Sequence, residues 1–208
     1  MNHDDLSERS TMLRRWSMQF ELNADYWKRL SVIIAVGGAT IFLLLTLHPD
    51  LIFRNNTPTG GDMGAHVWGP AFLRDHLLNH FRLAGWSMDW YAGLPVYRYY
   101  MVVPALFIVA LNIVLPYGIA IKIAAVIGIL TLPYCAWLFG RFARFAYPIP
   151  EMLAIAATIF LYDESFTIYG GNIASTMAGE FSFSIALSLS ILGFALVARG
   201  LETGKYLA

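Results

Sequence analysis

Asp62 stands directly behind a glycine pair in Gly60-Gly61-Asp62-Met63-Gly64-Ala65-His66, four residues ahead of His66. On a helix opening at Met63 that spacing puts acid and imidazole on one face. There they suit a general base with an electrostatic partner, or two ligands of a divalent ion. Gly60 and Gly61 permit close backbone approach and unusual dihedrals. The structural alternative is that Asp62 only N-caps the helix and His66 only packs. Glu180 is the second acid of interest. It closes the pliable run from Asp163 through Tyr169-Gly170-Gly171-Asn172 to Gly179 and opens an apolar stretch, where the helix dipole by itself also favours a carboxylate. Arg98 is placed either to meet a phosphate or to snorkel to lipid headgroups. His76 and His80 are spaced one turn apart beside Asp75, but Leu77 occupies the place of a zincin glutamate, so a wetted helix face accounts for them.

These residues need a scaffold, and composition says what solvent it sits in. With 58% hydrophobic and 13% charged residues, a water-soluble fold would lack the polar surface to cover its core. An all-α integral membrane protein is predicted. A formal net charge of +0 and the lack of a basic patch argue against nucleic acid as a partner. Cys135 is the only cysteine; it sits in an apolar run and reads as packing. No Walker A loop, dinucleotide fingerprint or hydrolase elbow is present. About thirty residues precede the first apolar run, without a small-residue cleavage site after it, which predicts a retained anchor.

Spans of about twenty apolar residues cross a bilayer, and Lys and Arg gather on the cytoplasmic side. If every apolar run crossed, the charge bias would be inverted. Laying the run near 97–115 along the outer face, as an interfacial helix, places nine basic residues inside and five outside. The predicted organisation is a cytoplasmic amphipathic segment over 1–29, in which Met12, Leu13, Trp16 and Phe20 recur at helical spacing, followed by a membrane domain over 30–208. Crossings are expected near 30–47, 119–140, 148–162 and 181–198, with extracytoplasmic loops 48–118 and 163–180. Asp163 and Glu164 bound the third of these crossings, since a carboxylate at mid-bilayer costs about 2.5–3.5 kcal/mol on insertion scales. The first outer loop carries Trp68, Trp86, Trp90, Tyr91, Tyr97, Tyr99 and Tyr100, read as an aromatic belt or as surfaces for stacking a sugar.

An acid shortly after the first crossing, a long first outer loop with interfacial helices, and an acid in the second outer loop resemble the N-terminal part of glycosyltransferase-C (GT-C) superfamily enzymes. More narrowly, Gly60-Gly61-Asp62-Met63-Gly64-Ala65-His66, Trp90-Tyr91-Ala92-Gly93-Leu94-Pro95, and Tyr169-Gly170-Gly171-Asn172 through Gly179-Glu180-Phe181 resemble bacterial membrane proteins labelled 6-pyruvoyl-tetrahydropterin-synthase-related, a label that does not imply pterin chemistry. The resemblance covers roughly Leu30 to Arg199. It implies a multi-pass cell-membrane enzyme that moves a sugar, with inversion, from a polyprenyl-phosphate donor to a glycan or lipid acceptor of the cell envelope. Asp62 then serves the acceptor hydroxyl, Glu180 assists or helps hold a divalent Mg or Mn ion, and Arg98 first and Lys122 second meet the donor phosphate. The sequence departs from the family in having no second acid beside Asp62 and none beside Glu180, which leaves metal use open. Members of that superfamily carry more crossings, so an N-terminal fragment is implied. The rival from another class is a non-catalytic scaffold or transporter subunit on the same helices. Transport is disfavoured because no charged residue falls inside the expected crossing cores.

Overall fold

The computed structural model describes residues 25–165 and 167–205; the amphipathic stretch around Met12 to Phe20 lies outside them. Helix α1 (Asp25–Thr46) carries a π-helical turn at Ile33–Gly37 and is followed by the short α2 (Pro49–Ile52). Helix α3 (Met63–Phe72) tightens through a π turn (Leu73–Leu77) and a 3-10 turn (Leu78–His80). A hairpin of β1 (Gly85–Ser87) and β2 (Leu94–Val96) leads to α4 (Val103–Asn112), α5 (Tyr117–Phe142), α6 (Ile149–Leu161) and α7 (Ile173–Thr203).

Helices α1, α5 and α7 are long and apolar enough to cross a membrane. The expected crossing over 148–162 is realised as α6, apolar but of 13 residues, about 20 Å at 1.5 Å per residue against a hydrocarbon core of about 30 Å. The expected interfacial segment near 97–115 contains α4, which is shorter than that span. Pro104 does not break α4. It falls in the first turn, where the missing N–H would be unsatisfied anyway, and at the other end Asn112 Nδ2 donates to the Leu115 carbonyl at 2.9 Å.

The described residues are mostly helical, consistent with the all-α expectation, and the strands amount to one short hairpin that the sequence did not announce. They pair antiparallel with Trp86 opposite Pro95, which a two-stranded sheet tolerates because proline needs no ladder donor at an edge. The turn bends through positive φ at Tyr91, Ala92 and Gly93. A Cβ on Gly93 would lie 2.2 Å from the Trp86 ring, so glycine there lets the indole lie flat on the hairpin.

Helix α5 is the spine. In its most apolar stretch 61% of residues are buried, against 17% for α1 and 28% for α7. Between membrane helices the hydrophobic effect gives little, so small residues that admit close backbone approach decide the packing. At Gly128 an added Cβ would lie 2.4 Å from the Ser184 carbonyl carbon and 2.5 Å from the Ile185 nitrogen of α7. Ser188 Oγ donates to the Gly128 carbonyl at 2.8 Å across the same contact, and the buried Thr176 and Ser184 hydroxyls pair beside it. One core cluster joins α3, α4, α5 and α7 through Met63, Ile108, Ile121, Ala124, Ala125 and Phe181. A second joins α1, α5 and α6 through Leu43, Ile129, Leu132 and Leu161.

Gly128→Ala is expected to cost about 1–3 kcal/mol, the usual penalty for overpacking. Gly193→Ala on α7, whose Cβ meets nothing within 4 Å, is expected to be neutral or up to about 1 kcal/mol stabilising. Unfolding in mixed micelles by titration with a denaturing detergent separates them; equal effects would contradict the α5–α7 contact.

Candidate functional site

Two helix starts build the site, and each is anchored by the residue after its acid. Met63 and Phe181, next to Asp62 and Glu180, are 2% and 1% exposed and belong to the same core cluster, each burial contributing about 1.5–3 kcal/mol. The acids sit at the edge of that plug. Their backbones also lock. The Asp62 N–H donates to the Ala178 carbonyl at 2.7 Å. A Cβ on Gly61 would lie 2.1 Å from that carbonyl oxygen, and one on Gly179 2.9 Å from Asp62 Cβ. Gly61 (φ 49°) and Gly179 (φ 131°) hold left-handed conformations that residues with a Cβ adopt only with strain. The Gly179 conformation kinks α7, so Glu180 begins a new helical segment, Phe181–Thr203.

Asp62 takes the N-cap position of α3 as the spacing predicts, yet its carboxylate makes no capping bond; the Asp62 backbone carbonyl accepts from Ala65 and His66 at 3.0 and 3.3 Å. Glu180 likewise makes no side-chain cap. Both acids therefore leave their carboxylates uncommitted to the helix ends they occupy. Together they bear on two further groups. Burial is the main influence on His66 and pushes its pKa below 6.5, while the charges of Asp62 and then Glu180 push it back up. Burial raises the Tyr100 phenol, with Glu180 and Asp62 adding to the rise. His66 packs 4.9 Å from the Phe181 ring, edge to face, and 6.0 Å from Tyr100. At neutral pH the imidazole is thus uncharged and the phenol keeps its proton.

Asp62, His66, Tyr100 and Phe181 line a cavity of about 490 Å³ between α3, the hairpin, α4 and the start of the Phe181–Thr203 segment, and Glu180 is not among its lining residues. Much of the remaining lining is aromatic. Trp68 stacks on Trp90 at 5.4 Å and 14°, and Tyr91 meets Trp90 edge-on at 6.0 Å. Asp89 Oδ2 holds the Trp68 indole N–H at 3.0 Å, which fixes the ring over the cavity. Tyr97, Tyr99 and Tyr100 complete the lining, and burial, the largest influence, raises the Tyr97 phenol strongly. Of the aromatics read as a membrane belt, Trp68, Trp90, Tyr91, Tyr97, Tyr99 and Tyr100 line this cavity; Trp86 covers the hairpin. Tyr100 entered the sequence reading only as one of the loop aromatics and Phe181 only as part of a motif; neither was read as a partner of His66.

The remaining candidates divide. Arg98 is exposed and is not a lining residue, although its chain neighbours Tyr97 and Tyr99 are. Lys122 is elsewhere: its ammonium donates to the Leu51 and Arg54 carbonyls and to Asn56 Oδ1, tying the end of α2 to α5. His76 falls in a π turn and His80 in a 3-10 turn, so the α-helical register that would pair them is lost. Among the described residues no three His, Cys, Asp or Glu side chains gather where they could hold a metal ion. In the second loop Asn172, fully buried, donates to the Asp163 carbonyl and accepts from Ser175 N–H at 2.8 Å. Asp163 accepts from the Ser165 N–H at 2.9 Å and the Tyr169 hydroxyl at 2.8 Å; the Ser165 bonds lead in lowering its pKa, and Tyr169 adds to them. These residues build the loop that presents Glu180. Away from the cavity, Glu151 in the first turn of α6 is 6% exposed, and its Oε2 has no hydrogen-bond partner. Glu151 lies at the N-terminal end of α6, outside the expected apolar core of 152–162.

Since both acids raise the His66 pKa against a larger lowering by burial, Asp62→Asn and Glu180→Gln are each expected to lower it further. Titration of isotope-labelled His66 by NMR in micelles reads this directly. A pKa that ignores Glu180→Gln would mean the two loops do not share a site.

Set against protein-family models, curated proteins and solved structures, the chain matches none of them.

Proposed function

We propose that this chain is a membrane glycosyltransferase of GT-C type, or the N-terminal part of one, which transfers a sugar from a polyprenyl-phosphate donor to an acceptor hydroxyl held in the aromatic cavity. The observation that carries the reading is that Asp62, His66 and Tyr100 line one cavity while the Asp62 amide is bonded to Ala178 in the loop that leads to Glu180. In this scheme α6 also crosses, as the third of four crossings, the N-terminus is cytoplasmic, and the cavity faces the extracytoplasmic side, where lipid-linked sugars are within reach.

The acceptor hydroxyl is a weak nucleophile at neutral pH. Asp62 takes its proton as the acceptor oxygen bonds to the anomeric carbon, and the carbon–oxygen bond to the phosphate breaks with its electron pair leaving on polyprenyl phosphate. A single displacement of this kind inverts the anomeric centre. A positioned base supplies roughly 10²- to 10⁴-fold, about 3–5 kcal/mol of barrier. His66, uncharged, orients the hydroxyl, and Glu180 holds the local field negative while the proton moves. Arg98 meets the phosphate as charge develops there. Lys122 is committed to backbone carbonyls and has no part in the scheme. Asp62 and Glu180 are two carboxylates without a third ligand, and no step is routed through a metal ion.

The decisive variant is Asp62→Asn. In proteoliposomes supplied with polyprenyl-phosphate sugars, transfer is expected to fall 10²- to 10⁴-fold with insertion and helix content unchanged. Wild-type transfer by that variant would end the catalytic reading, and cell function preserved after Asp62, Glu180 and Arg98 are removed together would favour a scaffold.

A further inference from the structure

We infer that the cavity selects an acceptor bearing a protonated amine, so that the substrate is an ammonium compound rather than a neutral sugar or an anion. The inference rests on the proposed transfer reading for the word acceptor, but the binding chemistry stands on the cavity itself. Its lining offers π faces: the Trp68–Trp90 stack, with Tyr91 edge-on to Trp90, and Tyr100 beside His66. Asp62 is the one carboxylate in the lining, and no lysine or arginine reaches it. Glu180 adds a second negative charge whose field is felt by His66 and Tyr100.

Each class of ligand meets this surface differently. An anion would face Asp62 and the negative faces of the rings with no cation to receive it. A neutral pyranose can stack on an indole but needs convergent donors and acceptors around its hydroxyls; outside the tyrosines the polar side-chain groups of the lining are those of Asp62, His66, Ser182 and the tryptophan indoles, of which Trp68 already donates to Asp89. An ammonium group gains from both features. Ring quadrupoles attract a cation lying over them, and the carboxylates complement its charge. Among the lining residues only His66 could become cationic, and burial lowers its pKa. The volume of about 490 Å³ admits an amine together with a sugar ring or a lipid headgroup, two sources of the same chemistry.

The test uses the whole chain in nanodiscs, with choline as probe and its uncharged isostere 3,3-dimethylbutanol as control, followed by tryptophan fluorescence and calorimetry. Choline is expected to bind at least ~10-fold more tightly than the isostere, in keeping with a partly desolvated cation–π site. Trp90→Leu and Asp62→Asn are each expected to weaken it ~5-fold or more, while Trp90→Phe retains most of the affinity and Trp27→Ala on α1 changes nothing. Equal binding of the isostere, no binding of choline by folded protein, or full affinity in Trp90→Leu would overturn the inference. Competition separates the sources: phosphatidylethanolamine nanodiscs against phosphatidylglycerol ones reveal a lipid headgroup, and glucosamine against glucose reveals an amino sugar. Choline binding with undiminished transfer in Asp62→Asn would sink the transfer reading alone. Transfer to neutral acceptors, with no choline bound, would sink this inference alone.

Discussion

Everything at the cavity depends on one backbone contact, the hydrogen bond from the Asp62 amide to the Ala178 carbonyl with glycines packed on either side of it. It joins two loops that are remote in the chain and leaves no room for a Cβ at Gly61 or Gly179. Because Met63 and Phe181 plug the same core cluster immediately behind, the lock is pinned from the apolar side as well. The result is two acids at helix starts that neither helix uses for capping. Helix termini are ordinarily satisfied by such side chains. At α3 the Gly60 and Asp62 carbonyls accept from Met63, Ala65 and His66, and neither carboxylate is spent on a cap.

The rest of the architecture delivers these two loops to the same place. Helix α5 runs through the centre and holds α7 at the distance Gly128 allows, which sets where the kink at Gly179 falls. On the other side Arg74 bonds in bidentate fashion to Asp75, donates to Asn112 Oδ1 at 2.6 Å and lies over the Tyr117 ring, and the Tyr117 hydroxyl donates to the Val67 carbonyl. As an exposed ion pair the Arg74–Asp75 bridge adds little stability. Its value is geometric, since it fixes α3 against the end of α4 and the head of α5. The hairpin then folds over α3 through the Trp68–Trp90 stack and completes the aromatic lining.

Much of this was legible before any coordinates. Unbroken apolar length announced α1, α5 and the long part of α7, and a Gly-Gly-Asp before an amphipathic turn announced a helix start at Met63. What hydropathy does not encode is which faces meet, because in lipid nearly every residue of a span is apolar and steric fit decides. That is why the Asp62–Ala178 contact, which rests on missing Cβ atoms, was invisible, and why Lys122 looked available when three acceptors already surround it. The hairpin was missed for another reason: strands of three residues give no periodicity to read, and Trp86 to Tyr91 passed for a membrane belt. Glu151 escaped attention as a residue at the edge of an apolar run. The site residues came out of local turn chemistry; their partnership came only from packing.

The most direct measurement of the central contact is residue-resolved hydrogen exchange at the Asp62 amide. A donor held at 2.7 Å on a half-buried carbonyl is expected to exchange orders of magnitude more slowly than the amides of the preceding loop, since it opens only when the two loops part. Gly179→Ala, which drives a Cβ against Asp62, is expected to abolish that protection while leaving the amides of α5 as slow as before. Exchange of the Asp62 amide at the rate of an open loop in the native protein would contradict the lock and, with it, the shared site.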